Sequence, residues 1–279
     1  RLGSSVIPGA AGAFAMVRLG ALIAQMARLH HQGKELLLVS SGAVGMGVRE
    51  LGLAERPPSL GMRQAVAAVG QGHLIALYSK AFREHGVTVA QVLLTQEDLA
   101  DRDRALCVRT TLMRLLEMRV LPILNENDSV SVRELVEYER AAGDAAVAAA
   151  DAPLGFGDND GLSARVAVTL GTDVLVLLTS VDGLYSSDPR SDPDAQCIGE
   201  VGRVDDALLA RASGASGGGT GGMASKLLAA RHAAAAGAPV LIASGTAPGV
   251  LDRLLAGEAL GTRVLAAGQR SARRRSIAY

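Results

Sequence analysis

Short apolar runs alternate along the chain with longer segments whose apolar residues lie three and four positions apart. The short runs have the length of strands and occupy residues 35–40, 87–94, 120–124, 173–179 and 239–243. The longer segments predict helices over residues 13–31, 62–84, 104–118, 162–170 and 223–236, several of which end near a glycine such as Gly86 or Gly237. Repeated strand-then-helix order is typical of an α/β protein, here a three-layer α/β/α sandwich with a mostly parallel central sheet.

One segment breaks this alternation. Residues 129–156 are rich in alanine and in charged residues and show no strong strand signal. We interpret them as an inserted lid or a surface excursion within a single domain over residues 1–268. Residues 269–279 carry a cluster of arginines, which we interpret as a basic C-terminal tail or a junction to a further domain.

The composition indicates a globular protein and excludes several other classes. Of the 279 residues, 49% are hydrophobic and 20% are charged, which excludes a disordered or collagen-like chain, and no apolar run is long enough to span a bilayer. The 28 basic and 28 acidic residues balance and only 3% are aromatic, so neither a membrane nor RNA is an expected partner. The 2 cysteines fit no metal or disulfide pattern, and we expect a reducing, cytoplasmic location. The chain starts at Arg1 without a methionine or targeting segment, and we expect an upstream piece.

Three polar segments next to predicted elements are candidates for ligand binding. Residues 40–47 are mostly small and separate a predicted strand from a helix, which suits the binding of a carboxylate or a phosphate at the start of the helix. The same residues also fit a tight turn with a serine cap and no ligand. Residues 125–128 and 157–164 collect amides and carboxylates. These oxygens suit magnesium beside a nucleotide, the ammonium group of an amino acid, or ordinary turns. A dedicated metal site is not predicted, because the spacing lacks the calcium-loop pattern.

The richest glycine stretch, residues 216–223, directly precedes a predicted helix that carries Lys226. It formally contains GxGxxG, but it does not follow a strand, and Met223 stands where a Walker motif has lysine. A flexible glycine loop before a lysine-bearing helix can hold a transferring phosphoryl group, and a flexible linker is the alternative. The 5 histidines are scattered, which argues against zinc sites and hydrolase triads.

Taken in order, these motifs resemble the amino acid kinase family, and within it the glutamate 5-kinases. The resemblance covers almost the whole chain. It rests on residues 2–5 (LGSS), 41–43 (SGA), 68–71 (AVGQ), 93–95 (LLT) with 101–102 (DR), 125–128 (NEND), 157–160 (GDND), 183–185 (GLY) with 188–190 (DPR), and 219–223 (GTGGM) with Lys226.

The resemblance implies transfer of a phosphoryl group from ATP, accompanied by Mg²⁺, to the side-chain carboxylate of L-glutamate. The product, L-glutamyl 5-phosphate, is the first intermediate of proline biosynthesis from glutamate. By the same resemblance, the substrate would be bound by Ser41, Gly42, Asn125, Asp128 and Asn159. The catalytic residues would be Lys226 on the phosphates, Asp160 orienting the catalytic cations, and Gly3 contacting the phosphoryl group. The nucleotide would be bordered by Ser4, Thr179, Ser180, Gly183, Tyr185, Asp188, Gly219, Thr220, Gly221, Gly222, Met223 and Lys226.

Two positions depart from the family pattern. Arg1 stands where the family has lysine, and Ser180 stands where an aspartate commonly follows the threonine. Arginine keeps the charge with a different shape, and at a chain end we expect it to be mobile. These departures suggest one alternative, a non-catalytic amino-acid sensor. Two others remain: the kinase half of a bifunctional pyrroline-5-carboxylate synthase, and an acetylglutamate or aspartate kinase, against which the polar clusters at residues 125–128 and 158–160 argue. We further expect a homo-oligomer, and inhibition by proline is a hypothesis.

Overall fold

The central sheet has two parts, which residues 1–2 connect. The computed structural model describes residues 1–2, 12–130, 159–189, 191–214 and 222–267. Strands β1 (Leu38–Val39), β2 (Val89–Leu94) and β3 (Leu121–Glu126) pair in parallel in the order β1-β3-β2. Strands β4 (Leu175–Thr179), β5 (Glu200–Val201), β6 (Val240–Ser244) and β7 (Thr262–Val264) have the order β4-β6-β7-β5, in which the β6–β7 pair is antiparallel. Leu2 pairs in parallel with Leu178 of β4 and donates its N–H to the Val39 carbonyl at 2.9 Å, so both parts form one sheet.

Helices pack on both faces of this sheet, which confirms the predicted three-layer arrangement. Their bounds are α1 (Gly12–His31), α2 (Ala43–Glu50), α3 (Leu60–Arg83), α4 (Gln96–Ala100), α5 (Arg102–Glu117), α6 (Asn159–Leu170), α7 (Asp206–Gly214), α8 (Met223–Ala235) and α9 (Val250–Leu255). Successive strand residues point to opposite faces: Leu38 packs with α1 and α3, whereas its neighbour Val39 packs with α5 and α6. None of the helices within the described ranges has both the length and the apolarity to cross a membrane.

The first predicted strand is shorter than its apolar run indicates. Residues 35–40 were expected to form it, but the ladder contains Leu38 and Val39 alone. Leu36 and Leu37 are partly buried against the cores on the two opposite faces. The apolar run therefore reflects burial on both sides of the sheet, which extends beyond the residues that form ladder hydrogen bonds.

Helices α2 and α3 pack so closely that their backbones touch. A Cβ atom added at Gly70 of α3 would lie 1.8 Å from the carbonyl oxygen of Ala43, and one added at Gly47 of α2 would lie 1.9 Å from that of Val66. Real Cβ atoms do not approach backbone this closely, so both positions require glycine. This contact fixes the loop before α2, residues 40–42, relative to α3.

A buried hydroxyl pair links α3 to the end of β1. The Tyr78 hydroxyl lies 2.8 Å from Ser40 Oγ, and neither residue is exposed. Burial raises the pKa of Tyr78 above its ordinary value of 10.0, and the hydrogen bond with Ser40 offsets only part of that increase. The folded state therefore favours the neutral phenol, and this preference lowers stability once the pH exceeds the pKa of the unfolded chain.

We expect Tyr78→Phe to lower the free energy of unfolding by about 1–2 kcal/mol at pH 7, because Ser40 Oγ loses the shorter of its two buried hydrogen bonds and keeps only the one to the Ser41 carbonyl. Between pH 9 and 11 the variant should lose less stability than the wild type, since no phenol is left to ionise on unfolding. Urea unfolding across this range measures both effects, and the partly exposed Tyr185→Phe is the matched control. Parallel pH profiles for wild type and Tyr78→Phe would contradict the assignment.

Candidate active site

A buried cluster of three charged side chains lies where α6 and α8 begin. Asp160 in the first turn of α6 is fully buried; its Oδ1 is 2.7 Å from Arg1 Nη1 and its Oδ2 is 3.1 Å from Lys226 Nζ. Ser225 donates its hydroxyl to the same Oδ2 at 2.9 Å. Two cations face one carboxylate, so the cluster has an excess of one positive charge in a site with little water. Such a site favours an anionic ligand.

Small residues bring the first turns of the two helices together. Ala164 and Ala167 of α6 and Ala230 and Ala233 of α8 are buried in one core cluster, and the helices pack against each other there. Helix α6 also packs against β1, β3 and β4, so Asp160 lies where the two parts of the sheet meet. Both helices direct the positive ends of their dipoles towards this region, which adds to its preference for an anion.

A chain of side-chain amides extends from the charged cluster towards α3. Ser41 Oγ accepts a hydrogen bond from Arg1 Nη2 at 3.3 Å and one from Asn159 Nδ2 at 2.9 Å. Asn159 Nδ2 also donates to Asn125 Oδ1 at 2.9 Å, and Asn125 Nδ2 donates to Gln71 Oε1 at 2.7 Å. We call Ser41, Asn159, Asn125 and Gln71 the amide chain. Asn159 Oδ1 is buried and has no hydrogen-bond partner among the residues that the structure describes.

An acidic cavity of about 260 Å³ adjoins the amide chain. Gln71, Glu126 and Asp128 are among its lining residues, and the described lining includes two carboxylates and no basic side chain. Its size suits a ligand no larger than an amino acid, and its charge suits an ammonium group. A larger depression of about 440 Å³ lies at the C-terminal end of α3, but it is lined by residues of that helix and by Glu84 after it, and none of them belongs to the charged cluster or the amide chain.

The structure brings together most of the residues predicted to bind substrate and phosphates. Ser41, Asn125, Asn159, Asp160 and Lys226 form the connected network described above. Two of them lie inside elements that the sequence placed in loops, since Asn125 belongs to β3 and Asn159 begins α6. In addition, Asp128 lines the acidic cavity, Gly42 precedes α2 with a φ of 105°, Gly222 precedes α8, and Met223 is the first residue of α8.

A second group of residues predicted to border the nucleotide lies after β4. Thr179 ends that strand, and its carbonyl accepts the Gly245 N–H at 2.8 Å. Thr262 of β7 holds the loop that follows, because its hydroxyl accepts the Leu184 N–H and donates to the Ile198 carbonyl, both at 2.7 Å. This arrangement fixes Gly183 and Tyr185, while Ser180 is exposed and Asp188 is partly buried. Five predicted residues, Gly3, Ser4, Gly219, Thr220 and Gly221, lie outside the described residues, as do positions 131–156 of the predicted insertion.

Sequence reasoning missed three members of the network. Arg1 was expected to be mobile, and this was wrong, because its side chain is 5% exposed and pairs with Asp160. Gln71 belongs to the motif at residues 68–71 but had no assigned role, and Ser225 lies in the predicted helix over residues 223–236 without an assigned role. The position of Gln71 in that motif was the one available signal for its importance.

Comparison with known proteins gives the family. Residues 1–244 match the model of the amino acid kinase family. A glutamate 5-kinase of Gloeobacter violaceus is 46% identical over 279 residues, covering 99% of this chain and 70% of that protein. A glutamate 5-kinase of Burkholderia cenocepacia is 44% identical over 276 residues, covering 99% of this chain and 69% of that protein.

Solved structures share the fold at low identity. A UMP kinase from Bacillus anthracis has a TM-score of 0.56 at 15% identity and covers 95% of this chain and 93% of its own. An isopentenyl phosphate kinase has a TM-score of 0.55 at 18% identity, covering 89% of this chain and 90% of its own. The sequence matches, the shared fold and the geometry of the site agree, and the chain belongs to the amino acid kinase family and is a kinase.

Proposed function

We propose that this kinase transfers the γ-phosphoryl group of ATP to the side-chain carboxylate of L-glutamate. The product would be L-glutamyl 5-phosphate, for proline biosynthesis. One observation carries the proposal: a buried cluster with excess positive charge adjoins an acidic cavity of amino-acid size. The names of the relatives, glutamate 5-kinases at 43–46% identity, support the same substrate.

The charged cluster is suited to the transfer itself. A carboxylate oxygen of glutamate attacks the γ-phosphorus while the bond to the bridging oxygen breaks and ADP leaves. Two anions must approach each other, and Arg1 and Lys226 offset their repulsion. Asp160 holds both cations in place before the substrates arrive, so little reorganisation is needed during the reaction. The reaction requires no covalent nucleophile from the protein.

The amide chain and the acidic cavity are suited to the amino-acid end of the substrate. Glu126 and Asp128 supply negative charge for the ammonium group. The buried Asn159 Oδ1, which lacks a partner among the described residues, offers an acceptor for an N–H donor of the ligand. Ser41 and the backbone at Gly42 lie at the start of α2, where the helix dipole favours a carboxylate.

The nucleotide in this proposal lies along the carboxyl end of β4 and the start of α8. Thr179, Ser180, Gly183, Tyr185 and Asp188 would border the base and ribose. Gly222, Met223 and Lys226 would border the phosphates, together with residues 219–221. Within the described residues, no group of three or more His, Cys, Asp or Glu could hold a metal ion, and both Asp160 oxygens face cations. Mg²⁺ therefore enters the proposal as the counter-ion of the ATP phosphates, whose charge it neutralises.

The proposal is tested by substrate dependence and by trapping the product. ADP release should depend on L-glutamate, and hydroxylamine should convert the acyl phosphate into glutamyl hydroxamate. N-acetylglutamate and L-aspartate should give much less turnover, because the acidic cavity favours a free ammonium group at the right distance. Faster turnover of either analogue would contradict the proposal. Glutamate binding without ADP release would instead favour the sensor alternative.

An Asp128→Ala variant locates the substrate within the cavity. We expect it to raise the glutamate KM about 10- to 100-fold and to leave the ATP KM unchanged, because it removes a charged contact made in the ground state. Asp103→Ala, on the exposed first turn of α5, is the matched control. An unchanged glutamate KM in Asp128→Ala would exclude this role. Proline inhibition and homo-oligomer formation stay predictions.

A further inference from the structure

Gln71 belongs to the sequence motif at residues 68–71, for which the proposed reaction has no role. It follows Gly70, the residue whose backbone touches Ala43 at the start of α2. Because side chains cannot separate the two helices there, α3 holds Gln71 at a fixed position relative to the Ser41 loop. Gln71 is partly buried and also lines the acidic cavity.

The hydrogen bonds of the amide chain run in one direction. Asn125 is 3% exposed, and it donates through Nδ2 to Gln71 Oε1 while accepting through Oδ1 from Asn159. Asn159 Nδ2 donates to Asn125 and to Ser41, which uses both of its hydrogens and leaves Oδ1 as its acceptor. If the Asn125 amide alone were reversed, its NH₂ group would face the NH₂ group of Asn159 and its oxygen would face Gln71 Oε1, so one amide cannot turn unless its neighbours turn with it. The orientations of Gln71, Asn125 and Asn159 are therefore coupled.

We propose that Gln71 is a positioning residue for glutamate binding, an inference that rests on the proposed function. Its Oε1 is the acceptor that holds the Asn125 amide in one orientation, and Asn125 in turn holds Asn159. In that orientation Asn159 presents Oδ1 as the acceptor for the substrate. Gln71 acts through Asn125, so its loss weakens glutamate binding without removing a charge from the site of phosphoryl transfer.

Two substitutions of Gln71 distinguish its role as a hydrogen-bond acceptor from the effect of its side-chain size. Gln71→Met has nearly the same shape but no acceptor, and it should raise the glutamate KM about tenfold, because a buried donor loses its partner. The kcat and the ATP KM should change less than about threefold, since Lys226 and Asp160 are untouched. Gln71→Glu keeps an oxygen at the same place and should stay closer to the wild type for glutamate. Val69→Met, on an exposed position of α3, is the matched control.

A double-mutant cycle tests whether Gln71 acts through Asn125. Gln71→Met added to Asn125→Ala should raise the glutamate KM no further, because the residue it positions is already gone. Additive effects would overturn the inference, as would an unchanged KM in Gln71→Met. A parallel rise of both KM values together with a lower Tm would show a merely structural role and also overturn it.

The wild-type assay distinguishes failure of this inference from failure of the proposed function. If the wild type releases ADP with glutamate and Gln71→Met behaves like it, only the inference on Gln71 is wrong. If the wild type shows no glutamate-dependent turnover, the proposed function fails and the inference fails with it.

Discussion

Lys226→Ala should reduce kcat about 100- to 1,000-fold, the loss found when one preorganised charge-stabilising donor is removed from a transition state. Lys226 is 4% exposed, and its ammonium group is held 3.1 Å from Asp160 Oδ2. Negative charge on the transferring phosphoryl group and its neighbours is greatest near this position in the proposed reaction. The glutamate KM should change only a few-fold, because the cavity and the amide chain do not include Lys226.

Two further variants define what Lys226 contributes. Lys226→Met keeps the length of the side chain without its charge and should lose about as much kcat as Lys226→Ala. Arg231→Ala lies on the same helix, where Arg231 pairs with the exposed Asp206, and it should leave kcat unchanged. Steady-state kinetics with each substrate in turn separates kcat from both KM values. A Lys226→Met enzyme with wild-type kcat would exclude the proposed role of this charge.

The layered fold could be predicted because local signals agree with the tertiary structure. The predicted helix ends at Gly86 and Gly237 are confirmed, and both residues have left-handed φ values, 68° and 86°, that other residues rarely adopt. The alternation of apolar runs with helical segments predicted the parallel strands. The short strands β5 and β7 were not predicted, because two or three residues carry no periodic signal and their pairing depends on partners far along the chain.

The candidate site was predictable in part for a topological reason. The carboxyl ends of parallel strands lie at one edge of a sheet, and Ser41 and Asn125, at the ends of β1 and β3, do converge with Asp160 there. The sequence could not indicate which atoms pair. Gln71 and Asn125 are 54 positions apart, and no local pattern reports a hydrogen bond between a helix and a strand over that separation.

The burial of Arg1 is a second feature of the site that the sequence could not indicate. Leu2 is the one apolar residue next to Arg1 in the sequence, and a single residue is too short a pattern to indicate burial. Arg1 nevertheless lies between β1 and β4, where its backbone joins the ladder and its guanidinium group reaches Asp160. The planar guanidinium contacts Asp160 through Nη1 and Ser41 through Nη2, so one side chain links the charged cluster to the amide chain.

Asp160→Asn should have the second large effect, and it should act on both stability and activity. The substitution preserves shape but removes the buried negative charge that pairs with both Arg1 and Lys226, which should lower the free energy of unfolding by about 3–5 kcal/mol. The kcat should fall as well, because the two cations would no longer be held together for the phosphoryl group. Urea unfolding and steady-state kinetics measure the two effects. Asp206→Asn, in the exposed pair with Arg231, should change stability far less.

A second substitution separates the two consequences of losing Asp160. Adding Lys226→Met to Asp160→Asn removes one of the two buried cations that lose the carboxylate, so the double variant should unfold at a higher urea concentration than Asp160→Asn alone. Its activity should remain lost, because phosphoryl transfer needs the charge of Lys226 even in a variant whose stability has been restored. If the double variant were less stable than the single one, charge imbalance would not explain the defect of Asp160→Asn. The carboxylate would then act mainly through its hydrogen bond with Ser225, and Ser225→Ala should reproduce the loss.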